Sequence, residues 1–227
     1  MNIQAVVLDI EGTITPIAFV RDTLFPYART HLATFLASHS SDAEVAAELA
    51  AVRLLAPEAD PVSVLLDWMD QDLKVPTLKA LQGLIWQAGY DRGELKGQIY
   101  PDVPPYLRAW RERELALYIY SSGSVAAQRL LLGHSDAGDL LPLFSGYFDT
   151  NVGAKRETAS YRTITEQIGR EAGECLFLSD VEAELDAAAL AGWRTAQLVR
   201  ANDGTVGSLR HVNCADLEEV EGSIFFL

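Results

Sequence analysis

Short runs of apolar residues, each ending in polar residues, recur along the chain and predict buried parallel β-strands. The predicted strands are Ile3–Leu8, Ala116–Tyr120, Gly146–Phe148, Leu176–Leu178 and Thr195–Val199. Helical patterns separate the later strands, and they cover Val103–Arg113, Ser124–Leu132, Ala159–Ile168 and Glu182–Ala191. The C-terminal stretch EEVEGSIFFL fits either a closing helix or an edge strand. Strands that alternate with helices predict an α/β fold, built on a parallel sheet with right-handed crossovers.

The segment between the first two strands has a different pattern. It contains no strand-like run but four helix-like stretches, which are Arg21–Ala37, Asp42–Leu55, Pro61–Gln71 and Thr77–Gly89. Pro61 and Pro76 lie where helices are expected to begin, a position that tolerates proline. An insertion of this length is far longer than an ordinary connection. We therefore predict a core made of residues 1–17 and 98–227, with a helical insert over residues 18–97.

Composition and charge narrow the range of partners. The chain is 49% hydrophobic, and its 32 acidic and 18 basic residues leave a net charge of -14. Such an acidic surface repels phosphate backbones, so nucleic acid is not an expected partner. An anionic substrate would need a local positive group, such as a metal ion or a lysine. No membrane span and no signal peptide are predicted, and the two cysteines have no metal-type spacing. We expect a reduced, cytoplasmic protein.

Ligands of parallel α/β sheets bind beyond the carboxyl ends of the strands, so the residues at those ends are the candidates for chemistry. Asp9, Glu11 and Gly12 follow the first strand. If the strand continues through Glu11, residues two positions apart point the same way, and both carboxylates face one site. Gly12 then allows the backbone to leave sharply. The alternative is an ordinary acidic turn.

The second strand ends in YIYSSGS, which contains Ser121, Ser122, Gly123 and Ser124. Hydroxyls and exposed backbone N–H groups at the start of a helix can form a cradle for an oxyanion. The alternative is that Ser124 only caps the helix and the other residues form a loop.

Lys155 follows the third strand, in a loop of small residues just before a helix. As a phosphate-binding lysine, it would supply the positive charge that an acidic chain needs. The alternative is a solvated lysine on the surface, which is the commoner situation for this residue.

The fourth strand ends at Asp180, and Glu184 follows one helical turn later. Hard oxygen ligands beside other carboxylates suit Mg²⁺, which binds a few carboxylates and keeps its waters. The alternative is a helix N-terminus that carries acids because they favour its dipole. That role is sufficient for Glu182 and Asp186.

Together these motifs resemble the haloacid dehalogenase-like phosphohydrolases, which combine an acidic first strand end, a serine loop, a loop lysine and a second acidic strand end. More narrowly, the chain resembles the acireductone synthase family, the enolase-phosphatases of methionine salvage. The stretches LDIEGTITPIAFV, YIYSSGSVAAQRLLLGHS, GYFDTNVGAKRETASYRTI and FLSDV carry the likeness, with LFPYAR in the insert. Glu11 is informative because most members of the wider haloacid dehalogenase-like superfamily have aspartate there. Ile14 departs from the family's EGTTTPI.

The resemblance implies a Rossmann-like core with an inserted helical cap, and it implies a role for each candidate residue. Asp9 is the nucleophile that forms an aspartyl-phosphate. One Mg²⁺ per subunit is held by Asp9, Asp180 and the backbone carbonyl of Glu11, whose side chain is a candidate general acid/base. Ser121, Ser122 and Lys155 bind the substrate. Glu184 orders water that is bound to the metal, without binding the metal itself.

The implied reaction converts 2,3-diketo-5-methylthiopentyl-1-phosphate to the acireductone 1,2-dihydroxy-3-keto-5-methylthiopentene and phosphate. The partner is thus this small phosphorylated diketone, neither nucleic acid nor membrane, and the expected state is a monomer. Three other readings stay open. They are a phosphatase for another small phosphate ester, a haloacid dehalogenase that needs no Mg²⁺, and a binding module without catalysis.

Overall fold

A computed structural model describes residues 3–225, which form six strands in one parallel sheet of order β3-β2-β1-β4-β5-β6. The strands are β1 (Ala5–Leu8), β2 (Ala116–Tyr120), β3 (Gly146–Phe148), β4 (Cys175–Ser179), β5 (Arg194–Leu198) and β6 (Val212–Cys214). β1 and β4 are fully buried, as the continuous apolar sequence of parallel strands requires. The predicted α/β fold is confirmed.

The register of the sheet brings the strand ends together. Leu8 in β1 pairs with Ile119 in β2 on one side and with Leu178 in β4 on the other. Because all three strands run in the same direction, the residues that follow them emerge at one edge of the sheet. The order of the strands therefore gathers the polar residues after β1, β2 and β4 although they are far apart in sequence.

The sequence analysis missed β6. This strand is three residues long and lies at the edge of the sheet, where Val212 is 43% exposed and only Cys214 is fully buried. Without a buried apolar run it leaves no periodic signal, and its pairing with β5 identifies it. The C-terminal stretch resolves to helix, as α10 (Leu217–Val220) and a π-helical turn (Glu221–Phe225). The last two residues of that stretch lie outside the described ones.

The backbone contacts divide the chain into two compact units, one of which is the sheet with its helices. This unit comprises the chain up to Phe19 and the chain from Lys96 onward. Besides α10 it contains α1 (Ile17–Phe19), α6 (Val103–Glu112), α7 (Val125–Gly133), α8 (Thr158–Ile168) and α9 (Glu182–Leu190). Aromatic residues of β2, β4 and α8, among them Tyr120, Phe177 and Tyr161, pack in one buried cluster on the sheet.

The second unit, Val20–Leu95, is wholly helical. After the π-helical turn Val20–Leu24 it contains α2 (Phe25–Ser38), α3 (Ala43–Leu55), α4 (Pro61–Asp70) and α5 (Pro76–Asp91). Its own core includes Leu32, Val52, Leu65, Leu81 and Ile85. Pro61 and Pro76 begin their helices, as predicted. Across residues 3–225, no helix has the length and apolar character that crossing a bilayer demands.

Candidate active site

The chain turns sharply after β1, and the turn separates the two acids of the first motif. The strand ends at Leu8, and the Asp9 N–H still donates to the Leu178 carbonyl at 2.9 Å. Asp9 is buried, but the Glu11 side chain is exposed. The strand therefore ends before Glu11. The expectation that Asp9 and Glu11 point the same way along one strand is wrong. Gly12 has a φ of 69°, in the left-handed region that glycine favours.

Arg200, which the sequence analysis did not identify, stabilises this turn by hydrogen bonds to its backbone. Its guanidinium donates from Nε and Nη2 to the Thr13 carbonyl, at 3.1 and 2.8 Å. It also pairs with both Asp102 oxygens, at 2.9 and 3.0 Å. The Arg200 side chain is buried, and it lies 4.2 Å above the Tyr100 ring. The sequence signal was weak, because a single arginine after a strand does not reveal which carbonyl it will meet.

Lys155 is buried between two carboxylates, which excludes the alternative of a solvated surface lysine. Its side chain is 6% exposed, and Nζ lies 2.6 Å from Asp9 Oδ1 and 2.6 Å from Glu184 Oε2. Burial alone would lower the pKa of Lys155, but the charges of Asp9 and Glu184 reverse this effect and raise it. The lysine therefore remains a cation inside the site.

Asp180 and Glu184 complete a strongly acidic cluster. Burial, followed by the charges of Asp9 and Glu184, raises the pKa of Asp180 to about 7. Burial also raises the pKa of Glu184, although Lys155 opposes the shift. Ser179, which the sequence analysis did not assign, donates to Glu184 Oε2 at 3.0 Å and accepts from the Val181 N–H at 3.1 Å. It fixes the Glu184 carboxylate beside Lys155.

The serine loop after β2 contains one buried and two exposed hydroxyl residues. Ser121 is buried, and its Oγ accepts from the Gly123 N–H at 3.2 Å. Ser122 is exposed. Ser124 caps α7 by accepting from the Ala127 N–H at 3.3 Å, as the alternative reading proposed. Gln128 holds the loop, since its Nε2 donates to the Gly123 carbonyl at 2.8 Å.

The acidic cluster fits a divalent cation. The acidic groups of Asp9, Asp180 and Glu184 lie around Lys155, and the charges of Asp9 and Glu184 help to raise the pKa of Asp180, so a further positive charge would be accommodated here. A Cβ at Gly12 would lie 2.5 Å from Asp180 Oδ2, so the missing side chain leaves the space that this carboxyl group occupies. In residues 3–225 no three His, Cys, Asp or Glu side chains could hold an ion by themselves. Mg²⁺ suits such a site, because it binds one or two carboxylates and completes its shell with water and phosphate oxygens.

Comparison with known proteins identifies the family. The sequence profile of the haloacid dehalogenase-like hydrolases matches residues 3–192. The chain belongs to this family. This match confirms the resemblance that the motifs indicated, and the protein is a hydrolase.

Several relatives extend the likeness over most of the chain. A protein of Serratia proteamaculans named Enolase-phosphatase E1 is 59% identical over 203 residues, which are 87% of this chain and 89% of that protein. A Pectobacterium atrosepticum protein of the same name is 53% identical over 224 residues, 96% of this chain and 97% of the relative. The UTR4 protein of Saccharomyces cerevisiae, known from a crystal structure, is 35% identical in sequence, and the two structures superpose with a TM-score of 0.81. The match covers 95% of this chain and 98% of the yeast chain.

Proposed function

We propose that the protein is an enolase-phosphatase that converts 2,3-diketo-5-methylthiopentyl-1-phosphate to the acireductone and inorganic phosphate. The observation that carries the proposal is the 2.6 Å contact between Asp9 Oδ1 and Lys155 Nζ at the carboxyl edge of the sheet. A carboxylate poised beside a buried cation is suited to attack an anionic phosphate ester. Relatives that are 53–59% identical carry the name enolase-phosphatase.

Asp9 is the proposed nucleophile. One of its carboxylate oxygens attacks the phosphorus, the bond from phosphorus to the ester oxygen breaks, and an aspartyl-phosphate forms. Water then attacks this intermediate, releasing inorganic phosphate and restoring the Asp9 carboxylate. Glu11, exposed in the turn after β1, is the candidate acid that gives a proton to the leaving oxygen and later takes one from water.

The remaining residues bind and stabilise charge. Lys155 is the cation that would stabilise the phosphoryl oxygens as negative charge redistributes during transfer. Ser121 and Ser122 would donate to phosphate or carbonyl oxygens of the substrate. Glu184, held by Ser179 and Lys155, would accept from water at the edge of the site.

The Asp9 and Asp180 carboxylates and the Glu11 carbonyl would hold one Mg²⁺. When bound, this ion neutralises charge between the acids and the phosphate and polarises a carbonyl oxygen of the diketone. Enolisation forms no bond to phosphorus, so Asp9 would act in phosphoryl transfer and not in enolisation.

One assay tests the proposal. The protein is mixed with the diketone phosphate and Mg²⁺, while the ultraviolet absorbance of the enol and the released phosphate are followed together. Enol product with stoichiometric phosphate is expected, and chelation of the metal should stop both. Phosphate release without an enol signal would point to a phosphatase of another small ester. Full activity after chelation would overturn the metal assignment.

A further inference from the structure

Three consecutive backbone carbonyls of the loop that carries Lys155 accept hydrogen bonds from side-chain hydroxyl groups. Tyr120 Oη donates to the Gly153 carbonyl at 3.0 Å. Ser160 Oγ donates to the Ala154 carbonyl at 2.8 Å. Tyr161 Oη donates to the Lys155 carbonyl at 2.7 Å. The hydroxyl donors come from β2 and α8, so two separate elements hold a single loop.

The loop has a conformation that needs this support. Gly153 has a φ of 131°, which L-residues rarely adopt. A Cβ at Gly153 would lie 2.2 Å from Ser160 Oγ, so the loop backbone passes directly against the serine. The hydroxyl bonds, together with this close approach, determine where the backbone of Lys155 lies.

The two tyrosine donors belong to the buried aromatic cluster of the core. The Tyr120 and Tyr161 rings meet edge to face with centroids 5.6 Å apart, and Tyr161 also contacts the Phe177 ring at 5.2 Å. All three residues are fully buried. Lys155 Nζ, which contacts Asp9, lies 6.0 Å from the centroids of the Tyr120 and Phe177 rings. Residues of this one aromatic cluster thus donate to the backbone of the lysine loop and also lie beside the Lys155 side chain.

We propose that Tyr120, Ser160 and Tyr161 are positioning residues that act through Lys155. Their hydroxyls fix the loop carbonyls, and the fixed backbone directs the ammonium group to the point between Asp9 and Glu184. This inference rests on the proposed function for its kinetic consequence, although the position of Lys155 can be measured without it. Loss of one hydroxyl should let the loop relax, so that the lysine no longer meets the phosphoryl group correctly.

Tyr161→Phe and Tyr120→Phe test the proposal, because they remove a hydroxyl and keep the ring in the core. The matched control is Tyr147→Phe, since in residues 3–225 the buried Tyr147 hydroxyl has no hydrogen-bond partner. We expect Tyr161→Phe and Tyr120→Phe to lower kcat by about ten- to a hundredfold, the order reached when a catalytic group is displaced by an ångström. The KM should change less, and the control should match the parent.

A second readout follows Lys155 itself. The chain has four lysines, and Lys74 is exposed, so its rate of reductive methylation serves as an internal reference. In the parent, Lys155 should be protected relative to Lys74. In Tyr161→Phe its relative rate of methylation, read by mass spectrometry of peptides, should increase severalfold. Tyr147→Phe should leave that ratio unchanged.

The outcomes test the positioning role and the proposed function separately. Lower kcat together with faster methylation of Lys155 supports the positioning role. Unchanged kcat in Tyr161→Phe, or lower kcat with Lys155 still protected, overturns it. If the parent releases no phosphate from any ester while the tyrosine variants still expose Lys155, the proposed function fails and the positioning role stands.

Discussion

Lys155 Nζ lies 2.6 Å from Asp9 Oδ1, and both side chains are at least nine-tenths buried. Lys155 comes from the loop before α8, and Asp9 comes from the end of β1, so only the folded sheet brings them together. A buried ion pair of this kind contributes little to net stability, but breaking it leaves an uncompensated charge. Its value here lies in keeping a cation beside Asp9, the proposed nucleophile.

Replacement of Lys155 by methionine should damage both activity and stability. Asp9 and Glu184 would lose their shared cation, so the chelated protein should lose about 3–5 kcal/mol of unfolding free energy. Part of this loss should return with Mg²⁺, because the ion would replace the missing positive charge. Denaturant unfolding with and without Mg²⁺ measures the effect.

Arg210→Met is the control for that experiment, since Arg210 makes exposed ion pairs with Glu182 and Asp186. Such surface pairs contribute about 0–1 kcal/mol. Equal losses in the Lys155 and Arg210 variants would show that the buried pair has no special role.

Asp9→Asn should separate the two chemical steps. The variant keeps the shape of the side chain but cannot form the aspartyl-phosphate, so phosphate release should stop. Enolisation should continue if Mg²⁺ stays bound, and a phosphorylated enol should accumulate. Absorbance and phosphate are read in one cuvette, and Mg²⁺ binding is checked by calorimetry. Loss of both signals with Mg²⁺ still bound would mean that Asp9 also serves the first step.

Gly12→Ala should weaken metal binding. An alanine there would place its Cβ 2.5 Å from Asp180 Oδ2, so the carboxyl group must move. We expect a loss of about ten- to a hundredfold in Mg²⁺ affinity, the scale seen when groups that support a metal ligand are changed. Calorimetric titration with Mg²⁺ measures it.

Gly93→Ala is the matched control for Gly12→Ala. Gly93 has a φ of 71°, close to the 69° of Gly12, but among the described residues no atom beyond Gly93 and its two chain neighbours lies within 4 Å of a Cβ built there. Both variants carry the backbone strain of a left-handed alanine, roughly 1–2 kcal/mol. Only Gly12→Ala should alter Mg²⁺ affinity, and a similar change in both variants would contradict the steric explanation.

Arg200→Lys should loosen the turn after β1. Lysine keeps the charge but cannot donate to the Thr13 carbonyl and both Asp102 oxygens at once. We expect a loss of about 1–3 kcal/mol in unfolding free energy, because a buried carbonyl loses its donors. Denaturant unfolding of this variant and of Arg210→Lys checks the prediction, and the surface variant should match the parent.

Most of the predicted elements agree with the structure because their sequence signals are local. β2 and β3 have the predicted bounds, and β4 extends one residue beyond its prediction at each end. The first predicted helix of the insert began too early, since Val20–Leu24 forms a π-helical turn before α2. Periodicity detects apolar faces well, but it does not distinguish one helical hydrogen-bond pattern from another.

The sequence by itself determined the alternation of strands and helices, the helical insert and the kinds of side chain at each strand end. These depend on periodicity and on residue type, which are properties of neighbouring positions. Tertiary structure alone decided that Lys155 is buried between Asp9 and Glu184, that Arg200 holds the Thr13 carbonyl, and that Glu11 leaves the buried edge. Each of these depends on strand order and on the path of a turn, through which residues up to 187 positions apart meet. No local pattern encodes such a distance.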